Sequence, residues 1–280
     1  MCVCASCGKE GGNLNTCNKC NTVKYCNAAC KKKHRKKHKK QCETRVAELQ
    51  DEELFKEHPP REECPICFLP LPLGENQTIF KSCCGKVICN GCIYAMDEEA
   101  RGRGKIGLCC AFCRTTPATS NGEETQRIQK CMKADNADAF HLLAGDYARG
   151  IKGMPQDYEK SNDLLLKAGE LGCAEAYCKL GYSYENRRGV EVDKKKAKYY
   201  YELAAMHGNV DARYNLGCVE KEAGNYNRAF KHFILSARAG YKEALDDVRI
   251  GFKRGYVTTD EYANTLRAYQ QGHMMRRRVI

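Results

Sequence analysis

Cysteine dominates the side chains in this sequence that are capable of metal or redox chemistry. The 280 residues include 21 cysteines, and all but four of these precede residue 114. In a reducing compartment, closely spaced cysteine pairs are more often metal ligands than disulfides. The first residues, MCVCASCGKE, contain no apolar segment of the secretory type. We therefore expect an intracellular protein, cytoplasmic or nuclear, whose cysteines bind metal rather than each other.

The N-terminal cysteines fall into pairs with the spacing of zinc ligands. The pairs are C-x2-C, C-x2-C, C-x3-C and H-x3-C, and they provide eight ligands: Cys4, Cys7, Cys17, Cys20, Cys26, Cys30, His38 and Cys42. A closed structural zinc site takes four sulfur or imidazole ligands, so eight ligands predict two Zn2+ ions. A segment this short has too small a core to fold unaided, and metal binding would supply about 10–16 kcal/mol per site.

The order of these pairs, with Tyr25 directly before the C-x3-C pair, resembles the MYND zinc finger, a protein-interaction module. The resemblance implies interleaved sites, in which the first and third pairs hold one ion and the second and fourth pairs hold the other. Two choices stay open at this stage, because Cys2 competes with Cys4 and His34 competes with His38.

A basic run, KKKHRKKHKK, lies between Cys30 and Cys42. Residues 1–42 carry 11 Lys and Arg against one acid, but seven bound thiolates and two Zn2+ ions lower the net charge from about +10 to about +7. We expect a solvated face, or one that binds an acidic partner, and nucleic acid is disfavoured as a partner.

A second group of cysteines follows a charge-rich connector. Its expected ligands are again eight: Cys64, Cys67, Cys83, Cys84, Cys89, Cys92, Cys110 and Cys113. They predict two more ions, so about four Zn2+ are expected per chain. Cys109 is an alternative to Cys110, although only Cys110 gives the C-x2-C spacing, and the use of adjacent Cys83 and Cys84 is a further open choice.

This second group resembles a RING finger in an all-cysteine variant, because Lys86 stands where the usual histidine of the second pair would lie. The resemblance implies a cross-brace, with the first and third pairs on one ion and the second and fourth pairs on the other. It also implies a ubiquitin-conjugating enzyme as partner, contacted by Ile66, and a ubiquitin contact at Arg114. The sequence departs from the family at Ala111, where proline is usual, and it contains no tryptophan.

From about residue 138 the sequence repeats itself. Gly145, Gly181 and Gly217 recur every 36 residues, and a second series of glycines follows the repeat ends. Each unit has apolar residues at helical spacing on either side of a glycine-bearing loop, which predicts a pair of helices. The pattern resembles Sel1-like repeats, which stack helix pairs into a superhelix, and a degenerate fourth unit follows the third.

These features predict a mostly α fold: two small zinc-stapled domains of the treble-clef or cross-brace type, followed by an α/α solenoid of Sel1-like helix pairs. The predicted segments are a MYND-type finger (1–42), a linker or helical connector (43–63), a RING-like finger (64–114), a connector helix (115–137), the solenoid (138–271) and a basic tail (272–280).

The expected function is protein–protein interaction. The partners would be proteins or peptides, and the RING resemblance implies an E3 ubiquitin ligase that recruits substrates through its MYND and Sel1-like surfaces. The alternative is a zinc-dependent adaptor without ligase activity. Other enzyme classes are disfavoured, because no G-x4-G-K-[ST] loop is present, no room remains for a SET methyltransferase domain, and closed zinc sites leave no position for a catalytic water. No apolar run reaches the roughly 18 residues of a membrane helix, so no membrane partner is expected.

Overall fold

A computed structural model describes residues 2–57, 62–72, 77–102 and 109–277, with side chains up to residue 271. Parts of the predicted connector, RING-like finger and tail, at 58–61, 73–76, 103–108 and 278–280, lie outside the described residues. The chain forms two compact units, Met1–Lys56 and Glu57–Ile280. The predicted mostly α fold class is confirmed, with helices α1 Ala28–Leu54, α2 Asn90–Gly102, α3 Asn121–Lys133, α4 Ala137–Arg149, α5 Tyr158–Glu170, α6 Ala174–Glu185, α7 Lys194–Met206, α8 Val210–Glu222, α9 Tyr226–Arg238, α10 Lys242–Lys253 and α11 Thr259–Arg277.

The first unit is built from a short hairpin and one long helix. Strands β1 (Asn15–Thr16) and β2 (Lys24–Tyr25) pair antiparallel. Asn27 caps α1, because its side-chain oxygen accepts a hydrogen bond from the backbone N–H of Cys30 at 2.9 Å. The helix runs on past residue 42 to Leu54, through the first part of the predicted connector. Cysteines and Tyr25 make up the buried core of this unit.

The second unit contains another hairpin followed by a helix, and this hairpin packs against α3 and the first helix of the solenoid. Strands β3 (Thr78–Lys81) and β4 (Lys86–Cys89) pair antiparallel, and α2 follows directly. Phe80 packs against the cluster around Ile128 of α3. Just beyond β3, the Ser82 hydroxyl donates to Glu124 at 2.9 Å, and the Asn136 amide donates to the carbonyl of Gly85 at 3.0 Å. These contacts join the hairpin to α3 and to the N-terminus of α4.

Helices α4 to α9 pack as three consecutive pairs, and α10 and α11 pack against α9. Side chains such as Asn136, Asp157 and Asn209 cap helix N-termini by accepting a backbone N–H. The glycines that follow the repeat ends adopt the left-handed conformation that ends a helix, with φ between 88° and 103° at Gly172, Gly208 and Gly240. Among the described residues, no helix combines the length and the apolarity needed to cross a membrane.

Within two of the pairs, a helix glycine touches an aromatic ring of its partner helix. A Cβ added at Gly181 would lie 2.6 Å from the Tyr201 ring, and one added at Gly217 would lie 2.4 Å from the Phe233 ring. Both rings are completely buried. Glycine is therefore required at these positions because only a bare backbone leaves room for the ring.

Candidate metal centres

In the first unit, the predicted ligands converge in two groups of four. Within each group the ligand atoms all lie within 4.8 Å of one another, and the groups are Cys4, Cys7, Cys26, Cys30 and Cys17, Cys20, His38, Cys42. The hairpin makes this interleaving possible, because β2 brings the third pair back beside the first. The helix then carries its ligands at four- and eight-residue intervals along one face of α1.

The two competing residues of this unit lie outside the groups. Cys2 Sγ accepts a hydrogen bond from Lys24 Nζ at 3.0 Å, and His34 Nδ1 lies 3.1 Å from the Tyr25 hydroxyl. His38 instead directs Nε2 toward its group. The structure thus gives Cys2 and His34 other contacts, and leaves four ligand atoms in each group.

The second unit holds two further groups, again with all ligand atoms within 4.8 Å: Cys64, Cys67, Cys89, Cys92 and Cys83, Cys84, Cys110, Cys113. The first and third pairs share one group and the second and fourth pairs share the other, as in a cross-brace. Adjacent Cys83 and Cys84 enter the same group. Cys109 is exposed and lies outside both groups.

Four of the five C-x2-C pairs in these groups, those that begin at Cys4, Cys17, Cys64 and Cys110, share one backbone geometry. The residue after the second cysteine has positive φ in every case, with values of 74° at Gly8, 53° at Asn21, 57° at Phe68 and 62° at Arg114. Its backbone N–H donates to the carbonyl of the first cysteine at 2.9 Å in all four turns. Positive φ is costly for bulky residues such as phenylalanine and arginine. The conformation persists because the turn must aim two sulfurs at one point.

The sulfur spacing matches tetrahedral zinc. A zinc ion with Zn–S bonds of about 2.3 Å holds its thiolates about 3.8 Å apart. Sulfur pairs within the groups are separated by 3.4–3.9 Å, whereas a disulfide would bring them to about 2.05 Å. All 21 cysteines are free thiols. Structural zinc sites prefer four thiolate or imidazole ligands with no open position, and each group offers such a set. The residues present therefore fit Zn2+.

The pKa values of two thiols in the first group reflect their close approach. The backbone N–H of Cys26 donates to Cys4 Sγ at 3.5 Å and lowers the pKa of Cys4 to about 6. The pKa of Cys26 itself is raised to about 12, by its hydrogen bond with Cys30 and by burial. Four thiolates at this spacing repel one another, so they ionise together only when a positive ion balances their charge.

Two threonines support the sites and were not identified from the sequence. The Thr22 hydroxyl lies 3.0 Å from Cys20 Sγ, and the Thr115 hydroxyl lies 3.1 Å from Cys113 Sγ. The Thr115 hydroxyl lowers the pKa of Cys113 to about 6, and the Thr22 contacts outweigh burial to lower the pKa of Cys20 to about 6. The signal was present as C-x2-C-x-T, which occurs at both turns and places a hydroxyl beside the second thiolate.

The two residues predicted to bind partners occupy different surroundings. Ile66 is half-buried and packs against the cluster formed by Cys64, Ile88 and Cys89. Arg114 is exposed, directly after the last ligand, in one of the positive-φ positions. Its side chain is therefore accessible to solvent and to a partner.

Comparison with known families matches two parts of the chain. Residues 4–42 match the MYND finger, and residues 137–173, 174–209 and 210–241 each match the Sel1 repeat. A putative Sel1-like repeat-containing protein, L21 of Acanthamoeba polyphaga mimivirus, is 39% identical over 62 residues. That match covers 22% of this chain and 12% of the viral protein.

Two solved structures are similar to about two thirds of the chain. A Sel1 repeat protein from Oxalobacter formigenes is 20% identical with a TM-score of 0.48, covering 64% of this chain and 71% of that one. The protective antigen c5321 of uropathogenic Escherichia coli, which displays an SLR fold, is 23% identical with a TM-score of 0.46, covering 66% of this chain and 38% of that one. A MYND finger implies zinc, and both matched families mediate protein–protein interaction. Residues 4–42 are therefore a MYND-type zinc finger and residues 137–241 are three Sel1 repeats, both of which are types of protein-interaction module.

Proposed function

We propose that this is an intracellular protein whose residues 64–114 bind two zinc ions as a RING-type module, and that the module presents partners of the MYND and Sel1 surfaces to a ubiquitin-conjugating enzyme. One observation carries the zinc part of the proposal. The C-x2-C turns at Cys64 and Cys110 repeat the hydrogen bond and the positive φ of the turns in the MYND finger. A chain that builds the same turn four times, with four converging ligand sets, is expected to bind four ions.

Metal analysis of the purified chain tests this stoichiometry. We expect about four Zn2+ per chain, because each of the four groups offers a complete tetrahedral set. A value of two, unchanged when Cys67 is replaced by serine, would confine zinc to the MYND finger and end the RING proposal.

The ligase part of the proposal is supported by Ile66 and Arg114. A RING-type module does no covalent chemistry, so its contribution is to hold a charged conjugating enzyme and restrain the bound ubiquitin. The exposed guanidinium of Arg114 can donate to ubiquitin carbonyls, and losing one charge-assisted hydrogen bond of about 1.5 kcal/mol corresponds to about a tenfold change in rate.

The matching experiment is single-turnover discharge of ubiquitin from charged conjugating enzymes to free lysine. We expect the wild type to accelerate discharge and Arg114→Ala to lose about tenfold of that effect. Arg187→Ala, in an exposed loop of the solenoid, is the control and should behave as wild type. No acceleration by the wild type across a panel of conjugating enzymes would refute ligase activity.

A zinc-dependent adaptor without ligase activity is the second candidate. Two features of the sequence favour this adaptor: Ala111 replaces the usual proline, and the chain contains no tryptophan. This candidate predicts four bound ions and intact partner binding together with no ubiquitin discharge. The ubiquitin-discharge assay therefore separates the candidates.

A further inference from the structure

Most of the basic residues of α1 lie away from its metal ligands, because of the geometry of the helix. The ligands Cys30, His38 and Cys42 lie on one face. At about 100° per residue, Lys32, Lys36 and Lys40 lie about 120–160° around the helix axis from His38. They are exposed. The lysines therefore form a stripe on the side of α1 away from the zinc-binding side.

The positive charge on residues 31–40, which include this stripe, is almost unmatched by acids of the same unit. Eight Lys and Arg occupy residues 31–40, and all eight are exposed. Among the described residues, the one ion pair that involves them joins Lys39 to Glu43 at 3.9 Å, and both of its side chains are exposed. Such a pair contributes little stability in water, and like charges at i, i+4 spacing destabilise a helix. A bound polyanion would relieve this repulsion.

The metal thiolates do not cancel the stripe locally. They lower the total charge of the MYND finger, which is why the sequence argued against nucleic acid as a partner. However, the thiolates lie across a helix about 10 Å wide, and at physiological ionic strength charges are screened over about 8 Å. A ligand on the outer face would therefore be attracted mainly by the lysines.

The density of positive charge is the feature that selects the ligand. On the outer side of α1, 100° or more around the axis from His38, six lysines occupy the nine residues 32–40, at positions 32, 33, 36, 37, 39 and 40. At a rise of 1.5 Å per residue they give about one charge per 2.3 Å of helix. A nucleic-acid duplex carries about one negative charge per 1.7 Å of its axis. Lysine, unlike arginine, acts as a strongly hydrated point charge and provides no rigid fork for reading base edges. The face is thus suited to phosphates and not to sequence.

From these observations we infer that the outer face of α1, defined by Lys32, Lys36 and Lys40, binds the phosphate backbone of a nucleic-acid duplex without sequence preference. This site goes beyond the proposed ligase function and does not depend on it. Binding is measured without ubiquitin, so either proposal can fail alone.

The test is the salt dependence of binding to a fluorescein-labelled 20-base-pair duplex, measured by anisotropy with the zinc-loaded full chain. If each lysine neutralises one phosphate, the triple variant Lys32→Gln/Lys36→Gln/Lys40→Gln should lose about 2.7 from the slope of log K against log salt. When the salt concentration is raised from 50 to 200 mM, the affinity of the triple variant should therefore fall by a factor about 40-fold smaller than the affinity of the wild type does.

Two further variants keep the result interpretable. The exposed solenoid lysines provide a control with the same change in net charge, Lys195→Gln/Lys242→Gln/Lys253→Gln, which should keep the wild-type slope. Replacement of the three stripe lysines by arginine keeps the charge and should keep the slope, which separates loss of charge from misfolding. Retained zinc confirms that each variant is folded.

Several results would overturn the inference. The first is no duplex binding by the wild type at 50 mM salt, and the second is equal salt slopes for the stripe and control variants. Displacement of the duplex by polyglutamate as effective as that by unlabelled duplex would indicate an acidic protein partner instead. Duplex DNA and duplex RNA are both included, and similar binding to the two supports recognition of the phosphate backbone, whereas strong preference for one sequence contradicts it.

Discussion

Replacement of Gly217 by alanine tests the close packing of the helix pairs. The new Cβ would lie 2.4 Å from the buried Phe233 ring, about 1 Å short of the 3.4 Å at which ordinary contact begins. Overpacking of this kind costs about 3 kcal/mol at the upper end of its range, and the better helix propensity of alanine returns about 1 kcal/mol. The expected net loss is therefore about 2 kcal/mol.

The chain contains its own matched control. Gly145 occupies the same place in the first repeat, but an added Cβ there would meet just the Arg149 guanidinium at 3.5 Å, and that flexible side chain is largely exposed. Leu165 occupies the position in the first repeat that Tyr201 and Phe233 occupy in the later repeats, and its side chain is smaller than their rings. Gly145→Ala should therefore stabilise the protein by about 1 kcal/mol through helix propensity alone.

Thermal unfolding followed by circular dichroism measures the difference. A change of 1 kcal/mol shifts the Tm of a unit of this size by about 2–4 °C, so we expect Gly217→Ala to lower the Tm by about 4–8 °C and Gly145→Ala to raise it by about 2–4 °C. Phe233→Leu copies the first repeat, and in that background Gly217→Ala should lose most of its penalty. Equal effects of the two glycine substitutions, or no coupling to Phe233, would refute the packing argument.

Two further predictions concern a buried charge and the metal ligands. Burial raises the pKa of Glu220, but hydrogen bonds from Lys198 and Arg228, at 2.7 and 2.9 Å, outweigh it and hold the pKa below the usual 4.5. The stabilising contribution of the Glu220 carboxylate is therefore present above pH 4.5 and is lost as the pH falls. Between pH 5 and pH 3, the Tm of the wild type should fall more steeply than the Tm of Glu220→Gln. Parallel Tm profiles for the two proteins would contradict this. Cys42→Ser should reduce bound zinc by one ion on metal analysis whereas Cys2→Ser should not, and a loss in both variants would show that Cys2 is a ligand.

Much of the candidate site was predictable because zinc ligands can be recognised in a sequence by their residue type and spacing. The C-x2-C and H-x3-C pairs identified the residues that the structure later brings together. The choice between Cys2 and Cys4 was not local, since it depends on which sulfur the returning strand β2 approaches. The hydroxyl of Thr115 was visible in the sequence but meaningless until the turn placed it beside a thiolate.

The sequence alone determined the period of the solenoid, the pairing of its helices and the chemistry of the ligands, because each follows from short-range spacing. It presented Gly145, Gly181 and Gly217 as three equivalent residues. Only the tertiary structure separated them, because the space at each glycine depends on the side chain that the partner helix places against it. Two of the three face a buried ring and the other does not.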